Sequence, residues 1–375
     1  MAAPSETESI PLAKPEIGAR EEELVQEVLR SGRLSLGPMG ERFERELAAW
    51  LGVEDAVAVS SGTTALHLGV RALGWGPGDE VLTSPFSFVA SANCLLYEGA
   101  RPVFCDVDPV TLNLDPAAVE AAAGERSAGI LPVHIFGFPA AMAELEAIAD
   151  REGLGILEDA CEALGAVDAD GHRVGSRGNL AAFAFYANKQ LTTGEGGVLV
   201  PSSAEVAARL RSERNQGRAP DMGWLDHGGL GFNYRLSDVA AALGVAQMEK
   251  LDALLAARDA VAARYEEGLA DVEGVETLVA ARGTERRSWF VYAVRLGEEI
   301  DRDGIIRRLD EAGVAAKAYL PCIHLFPHLR ELGWRKGQFP VAEAASARSL
   351  ALPFFPAMTE SQVARVCEAL AEALR

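Results

Sequence analysis

Lys189 stands where an apolar run gives way to a glycine-rich loop. Phe183-Ala184-Phe185-Tyr186 precedes it closely, and Thr192-Thr193-Gly194-Glu195-Gly196-Gly197 follows it. Glycines allow a ligand to approach the backbone closely. A lysine amine that is partly desolvated, or lies beside another positive charge, has a lowered pKa and can act as a nucleophile. Although an isolated lysine is usually a solvated surface residue, this setting makes Lys189 a candidate for Schiff-base chemistry.

A second candidate segment, Ser60-Ser61-Gly62-Thr63-Thr64, forms a turn of small residues between the apolar run Ala56–Val59 and a helical pattern. Backbone N–H groups at a helix start, with hydroxyls beside them, bind anions such as a phosphate monoester. The same residues also suit an ordinary helix N-cap. The segment alone therefore allows a phosphate site without requiring one.

In a third segment, residues 156–163, an apolar strand pattern ends in Glu158, Asp159 and Glu162. A buried carboxylate needs a cationic partner to stay ionised, and a protonated pyridine nitrogen would serve. The alternative is that Asp159 caps the next helix. Together, the phosphate turn, Asp159 and Lys189 thirty positions later match the chemistry of pyridoxal 5′-phosphate (PLP).

Short apolar runs alternate with helical patterns in the part of the chain that carries these segments. The predicted strands are Ala56–Ser60, Glu80–Thr83, Pro102–Asp106, Gly129–Val133, Leu154–Leu157, Ala181–Tyr186 and Gly197–Val200. The predicted helices between them include Thr64–Leu73, Phe88–Tyr97 and Ala140–Arg151. This alternation predicts an α/β fold with a mostly parallel sheet covered by helices on both faces. Ligands in such folds bind beyond the carboxyl ends of the strands.

The length of 375 residues suggests two or three domains. Ser237–Leu269 is a long apolar-periodic segment that suits one connecting helix leaving the sheet domain. We therefore expect a large domain over residues 1–250 and a small C-terminal α+β domain over 251–375. The small domain should contain a strand at Trp289–Leu296, a helix at Asp303–Ala312, and a last helix opened by a capping box of Thr359 and Gln362.

Composition excludes several classes of protein. With 49% hydrophobic and 24% charged residues the chain is typical of globular proteins, and its net charge of −20 disfavours nucleic acid as a partner. The five cysteines form no CxxC pair, which indicates a reducing, cytoplasmic location. Pro327 between His324 and His328 argues against a helical metal pair. No membrane span or signal peptide is predicted.

These motifs, taken in order, resemble the DegT/StrS family of nucleotide-sugar aminotransferases. The resemblance covers nearly the whole chain and favours the branch similar to perosamine synthases. It rests on Ser31-Gly32 with Gly37-Pro38, Ser61 to His67, Gly78 to Val81, Ser87 to Ala90, Pro102-Val103-Phe104, Pro132-Val133-His134, Glu158-Asp159, Thr192 to Gly197, and Asn233-Tyr234-Arg235 with Ala241-Ala242 and Gln247. It implies PLP-dependent transferase fold type I, like that of aspartate aminotransferase.

The resemblance also implies roles for residues around the cofactor. Lys189 would form the internal aldimine with PLP and shuttle a proton between cofactor C4′ and the substrate carbon. Asp159 would pair with the pyridine N1. Gly62 and Thr63 would bind the phosphate, and Phe88 would stack on the ring.

Further roles lie at the edge of the site. Glu162 would lie near the ring hydroxyl. Asn233 would reach the phosphate of the partner subunit's cofactor, which implies a homodimer with shared active sites. Because the substrate carries a diphosphate, we expect Arg218 and Arg235 to be its counter-charges. His324 is a candidate for the substrate side of the site, and the alternative is a structural histidine of a loop.

Two positions depart from the family pattern. Many relatives have serine at the position of Ala184, where the hydroxyl helps to bind the phosphate, so we expect one fewer phosphate hydrogen bond here. Relatives often have glutamine or histidine in place of Glu162. A carboxylate beside the phenolic oxygen would have to be protonated or otherwise compensated.

The function implied is that of a ping-pong aminotransferase. An amino acid, L-glutamate by expectation, would convert the cofactor to pyridoxamine phosphate, which would then aminate a nucleotide-linked keto-sugar. The C-terminal segment favours a 4-keto-6-deoxy sugar and hence a perosamine-type product. The alternatives are a 3-keto-sugar or cyclitol aminotransferase of the same family, and a non-catalytic PLP-binding regulator.

Overall fold

Helices and strands alternate along most of the chain. The computed structural model describes residues 9–219, 226–278 and 284–375. In these ranges the helices are α1 (Ala19–Ser31), α2 (Pro38–Leu51), α3 (Gly62–Leu73), α4 (Ala90–Tyr97), α5 (Pro116–Ala122), α6 (Met142–Glu152), α7 (Ala204–Glu213), α8 (Asp238–Met248), α9 (Leu251–Leu269), α10 (Arg302–Glu311), α11 (Pro327–Arg330), α12 (Pro340–Arg348) and α13 (Glu360–Ala373). The strands are β1 (Val57–Val59), β2 (Glu80–Thr83), β3 (Arg101–Phe104), β4 (Ser127–Leu131), β5 (Gly155–Asp159), β6 (Val167–Asp168), β7 (Leu180–Ala184), β8 (Gly197–Val200), β9 (Val275–Thr277), β10 (Thr284–Arg286), β11 (Tyr292–Leu296), β12 (Lys317–Ala318) and β13 (Ser349–Leu352).

The central sheet has seven strands in the order β1-β8-β7-β5-β4-β2-β3. All neighbouring strands are parallel except β8, which runs antiparallel to both β1 and β7. Each of the seven predicted runs is a strand of this sheet, which confirms the predicted α/β fold. Because a parallel sheet is buried on both faces, its strands read as continuous apolar runs.

Alternate residues of these strands pack into two separate cores. Along β7, Leu180 and Ala182 belong to the core that includes α3 and α4, whereas Ala181 and Phe183 belong to the core that includes α1, α2 and α8. Side chains of a strand point alternately to opposite faces of the sheet. Helices therefore cover both faces, as predicted.

The segment Ser237–Leu269 differs from the prediction, because it forms two helices instead of one. Helix α8 ends at Met248, and α9 begins at Leu251. The residues between them are held by α1: Glu249 Oε2 lies 2.8 Å from Arg20 Nε, and Lys250 Nζ lies 2.8 Å from Glu21 Oε1. These tertiary ion pairs turn the chain where the sequence has neither glycine nor proline.

A smaller four-stranded antiparallel sheet, in the order β12-β13-β11-β9, forms the C-terminal unit. Its core also contains α10, α13 and the later turns of α9. The predicted capping box opens α13, with Thr359 Oγ1 accepting from Gln362 N at 3.2 Å and Gln362 Oε1 accepting from Thr359 N at 3.0 Å. Helix α9 spans both units, because Leu251 and Leu255 pack in the core around α1 and α2.

The first described residues pack against the C-terminal unit. Ile10 bridges Val314 in parallel and is buried in the core of the small sheet. Phe354 N donates to Leu12 O at 2.8 Å. An apolar residue remote in sequence thus completes the core of the small sheet.

None of the helices in the described ranges combines the length and apolar character that crossing a bilayer requires.

Candidate active site

A cavity of about 370 Å³ opens where α3 begins and where β5 and β7 end. Six predicted site residues line it together: Gly62, Thr63, Phe88, Asp159, Glu162 and Lys189. Ala184 lines it as well. The carboxyl-terminal edge of the sheet thus gathers residues that are up to 127 positions apart in the chain.

The start of α3 lies where the sequence predicts a phosphate site. Ser61 Oγ accepts from Thr64 N at 3.1 Å, and Thr64 Oγ1 accepts from Ser61 N at 3.0 Å. This reciprocal cap uses the Thr64 amide, whereas the first amides of a helix have no intrahelical acceptor. Gly62 and Thr63 occupy those first positions and line the cavity. Their N–H groups and the helix dipole suit an anion.

Gly62 is required by close packing. A Cβ at this position would lie 2.5 Å from Ala184 Cβ and 3.2 Å from Cys161 Sγ. Neither neighbour is the end of a flexible side chain. The absence of a side chain therefore lets α3 begin directly against the ends of β7 and the loop after β5.

Asp159 ends β5 and is 5% exposed. Its Oδ2 accepts from Ser91 Oγ at 2.7 Å, and its Oδ1 accepts from Cys161 N at 3.2 Å. Ser91 is itself held by Ser87, with the two hydroxyls 2.7 Å apart. Within the described ranges no lysine, arginine or histidine forms an ion pair with Asp159. A protonated pyridine nitrogen fits this buried, oriented carboxylate.

Lys189 and Glu162 face each other across the cavity. Lys189 Nζ lies 4.0 Å from Glu162 Oε1 and 3.9 Å from the centroid of the Phe290 ring. Glu162 Oε2 accepts from Phe136 N at 2.9 Å. Burial raises the pKa of Glu162, and the charge of Lys189 opposes this rise. A buried carboxylate needs compensation for its charge. The amide of Phe136 and the charge of Lys189 supply part of it for Glu162.

The predicted residues Asn233, Arg235 and Arg218 are not among the residues that line this cavity. Asn233 is exposed and bridges Asn215, whose Oδ1 accepts from Arg235 Nη1 at 2.9 Å. Arg218 is half-buried and bridges His227. One segment therefore carries all three side chains outside the cavity of its own chain.

His324 does not line the cavity. Its side chain is fully buried, with Nε2 3.3 Å from Glu343 Oε1 and the ring packed edge-on against Phe339. Burial lowers the pKa of His324. The same segment presents Tyr319 to the cavity. This burial favours the structural alternative for His324 over a contact with the substrate.

Sequence reasoning missed several residues of the site. Ser91 orients Asp159, and Asn188, Phe290 and Tyr319 line the cavity. Ser91 follows Ser87 by one helical turn, a spacing that was readable from the sequence. Phe290 and Tyr319 come from the C-terminal unit, where no motif or spacing marks them.

The fold and the site together define a sugar aminotransferase of fold type I. The chain belongs to the DegT/DnrJ/EryC1/StrS aminotransferase family, whose profile matches residues 15–371. Membership of this family implies PLP as the cofactor. The buried carboxylate, the lysine and the capped helix start fit the ring nitrogen, the aldehyde and the phosphate of that group.

Individual relatives match along the full length. GDP-perosamine synthase of Caulobacter vibrioides is 38% identical over 374 residues, which are 99% of this chain and 100% of that protein. A pleiotropic regulatory protein of Geobacillus stearothermophilus is 37% identical over 366 residues, 96% of this chain and 95% of that protein. The crystal structure of S. venezuelae DesV with a ketimine intermediate has a TM-score of 0.93 and 37% identity, and the match covers 98% of this chain and 100% of that one.

Ala184→Ser should tighten the binding of PLP to the apoprotein. Ala184 packs against Gly62 at the cavity, so a hydroxyl there adds a donor beside the predicted phosphate site. A net hydrogen bond of about 0.5–1.5 kcal/mol corresponds to an affinity gain of roughly 2- to 12-fold. Fluorescence titration of apoprotein with PLP measures it. Ala187→Ser is the matched control, because Ala187 does not line the cavity; equal affinities of the Ala184 variant and wild type would contradict the prediction.

Proposed function

We propose that this sugar aminotransferase moves an amino group from L-glutamate to the ketone of a nucleotide-linked 4-keto-6-deoxy sugar. The observation that carries the transaminase chemistry is the meeting of Lys189, Asp159 and the start of α3 at one cavity. The 4-keto position is supported by full-length similarity to a GDP-perosamine synthase. The cytoplasmic location stays a prediction from the cysteine content.

Lys189 is proposed to bind the cofactor covalently and to move protons to and from the substrate carbon through Nζ. PLP, when bound, supplies a conjugated ring that acts as an electron sink. Asp159 holds a proton on the ring nitrogen, and Ser91 fixes the direction of that carboxylate. The amides of Gly62 and Thr63 bind the phosphate.

Phe88 and Glu162 complete the proposed cofactor site. Phe88 lines the cavity and is 62% exposed, so its ring is available to cover the cofactor. Glu162 lies opposite Lys189, where its raised pKa favours a carboxyl that shares a proton with the ring hydroxyl. The position of each side chain in the cavity supports its proposed role.

The alternatives differ from this proposal either in the substrate or in whether the protein catalyses a reaction at all. A 3-keto sugar or a cyclitol would use the same cofactor residues, because those residues act on the reacting carbon and not on the rest of the ring. A PLP-binding regulator is suggested by the name of one relative, the pleiotropic regulatory protein of Geobacillus stearothermophilus. The complete set of Lys189, Asp159 and phosphate amides favours catalysis.

The reconstituted protein should be yellow, and L-glutamate should bleach it. Lys189→Ala should remove turnover and the lysine-dependent visible band, because no other amine is placed at the cavity within the described ranges. Absorbance spectra with and without glutamate measure both effects. Lys336→Ala, at an exposed lysine elsewhere, is the control. A wild-type colour that persists with every amino donor would refute the transaminase proposal.

Of a panel of dTDP-, UDP- and GDP-linked keto-sugars, the pyridoxamine phosphate form should aminate the 4-keto-6-deoxy members. Mass spectrometry of the products measures this. Amination of only 3-keto sugars or of a cyclitol would overturn the proposed substrate while leaving the transaminase intact. No amination of any member, with bleaching by glutamate retained, would also count against the proposed substrate class.

We further propose that two copies of the chain form a homodimer in which each copy completes the other's site. Asn233 is exposed and lies outside the cavity of its own chain, as do Arg218 and Arg235 of the same segment. In a dimer, these residues of one copy would lie at the cavity of the other copy. The proposal places Asn233 at the partner's phosphate, with the two arginines as counter-charges for the substrate diphosphate.

Mixing inactive Lys189→Ala subunits with impaired Asn233→Ala subunits should restore activity. In a mixed dimer, one site combines an intact Lys189 with an intact Asn233 from the other copy. Random pairing of equal amounts gives about a quarter of the wild-type activity. Assays after co-refolding, with each variant refolded alone as the control, measure it. If Asn233 acts within its own chain, mixing restores nothing.

A further inference from the structure

Arg258, on α9, is a buried guanidinium whose hydrogen bonds all go to backbone carbonyls. It is 3% exposed. Its Nη2 donates to Lys189 O at 2.9 Å and to Asn188 O at 3.5 Å. Its Nη1 donates to Trp289 O at 3.3 Å and to Phe290 O at 3.4 Å. No ion pair joins Arg258 to a carboxylate within the described ranges.

Such a group is costly to bury. Burial lowers the pKa of Arg258 to about 10, so the guanidinium still carries its charge at neutral pH. A buried charge without a counter-ion is unfavourable, and an apolar side chain of similar volume would fill the space at lower cost. What only arginine offers is a planar set of N–H donors that can hold several carbonyls at once.

The carbonyls that Arg258 holds belong to two segments that meet at the reactive amine. Lys189 and Phe290 are far apart in the chain, yet Lys189 Nζ lies 3.9 Å from the centroid of the Phe290 ring. One guanidinium therefore fixes the backbone on both sides of this contact. It joins the loop after β7 to the chain entering β11, across the boundary between the two sheets.

We propose that Arg258 is a positioning residue for Lys189, which holds the backbone of the lysine and of Phe290 in register. This inference rests on the proposed role of Lys189. Holding the reacting atoms in place strongly affects the rate, since a displacement of 1 Å can cost roughly 100-fold.

Two variants test whether the hydrogen bonds of Arg258 to the backbone carbonyls matter for the reaction. Arg258→Met removes both the donors and the charge, whereas Arg258→Lys keeps the charge on a compact group that cannot hold carbonyls on both sides. Arg264→Met is the matched control: Arg264 lies on the same helix and donates to a carbonyl, Met358 O, at 3.1 Å, but touches nothing in the cavity.

Each holoenzyme is assayed for kcat and KM in the half-reaction with L-glutamate. The kcat should fall by about 10- to 100-fold in both Arg258 variants, with KM changed less than about 3-fold. Arg264→Met should match wild type in both constants.

The outcomes separate the two proposals. If wild type gives no lysine-dependent visible band, the proposed role of Lys189 fails. If that band forms and the Arg258 variants have a wild-type kcat, the positioning role is overturned, even if they unfold at lower temperature. If Arg258→Met does not fold, Arg258→Lys decides: a lowered kcat with an unchanged KM supports the inference, and an unchanged kcat refutes it.

Discussion

The start of α3 touches the end of β7 and the start of β8 so closely that no side chain fits between them. A Cβ on Gly62 would lie 2.5 Å from Ala184 Cβ, and a Cβ on Gly197 would lie 2.4 Å from Ser61 O. This contact fixes the distance between the free amides of the helix and the edge of the sheet. Because β5 lies next to β7, Asp159 is set at a defined distance from the same amides. The two ends of the cofactor site thus share one rigid frame.

Two buried arginines hold backbone carbonyls next to residues that line the cavity, inside an acidic protein. The net charge is −20, yet Arg258 and Arg287 are both buried, and burial lowers their pKa values to about 10 and about 9. Arg258 donates to Lys189 O at 2.9 Å. Arg287 Nε donates to Phe136 O at 3.0 Å, and the amide of Phe136 donates to Glu162. The net charge of the chain therefore does not describe the surroundings of the cavity, and it is compatible with an anionic cofactor there.

The sequence was sufficient for the sheet and for the cofactor end of the site, because both are marked by local patterns. Strands buried on both faces read as apolar runs, and Asp159 and Gly62 directly follow or border such runs. The break between α8 and α9 was not readable, since ion pairs from α1 cause it. Nor did the sequence reveal that His324 turns inward or that Arg258 reaches Lys189, because both depend on packing between distant segments.

The cavity differs in character between its two ends. Asp159 and Glu162 are almost fully buried, whereas Phe88 and Tyr186, which also line the cavity, are 62% and 52% exposed. Exposed rings that line a cavity are available for contact with a ligand. In the proposed reaction the buried groups act on atoms common to every transamination, so we expect them to tolerate little change. We expect selection among sugars to depend on the exposed lining, which can vary without disturbing the frame that holds Lys189.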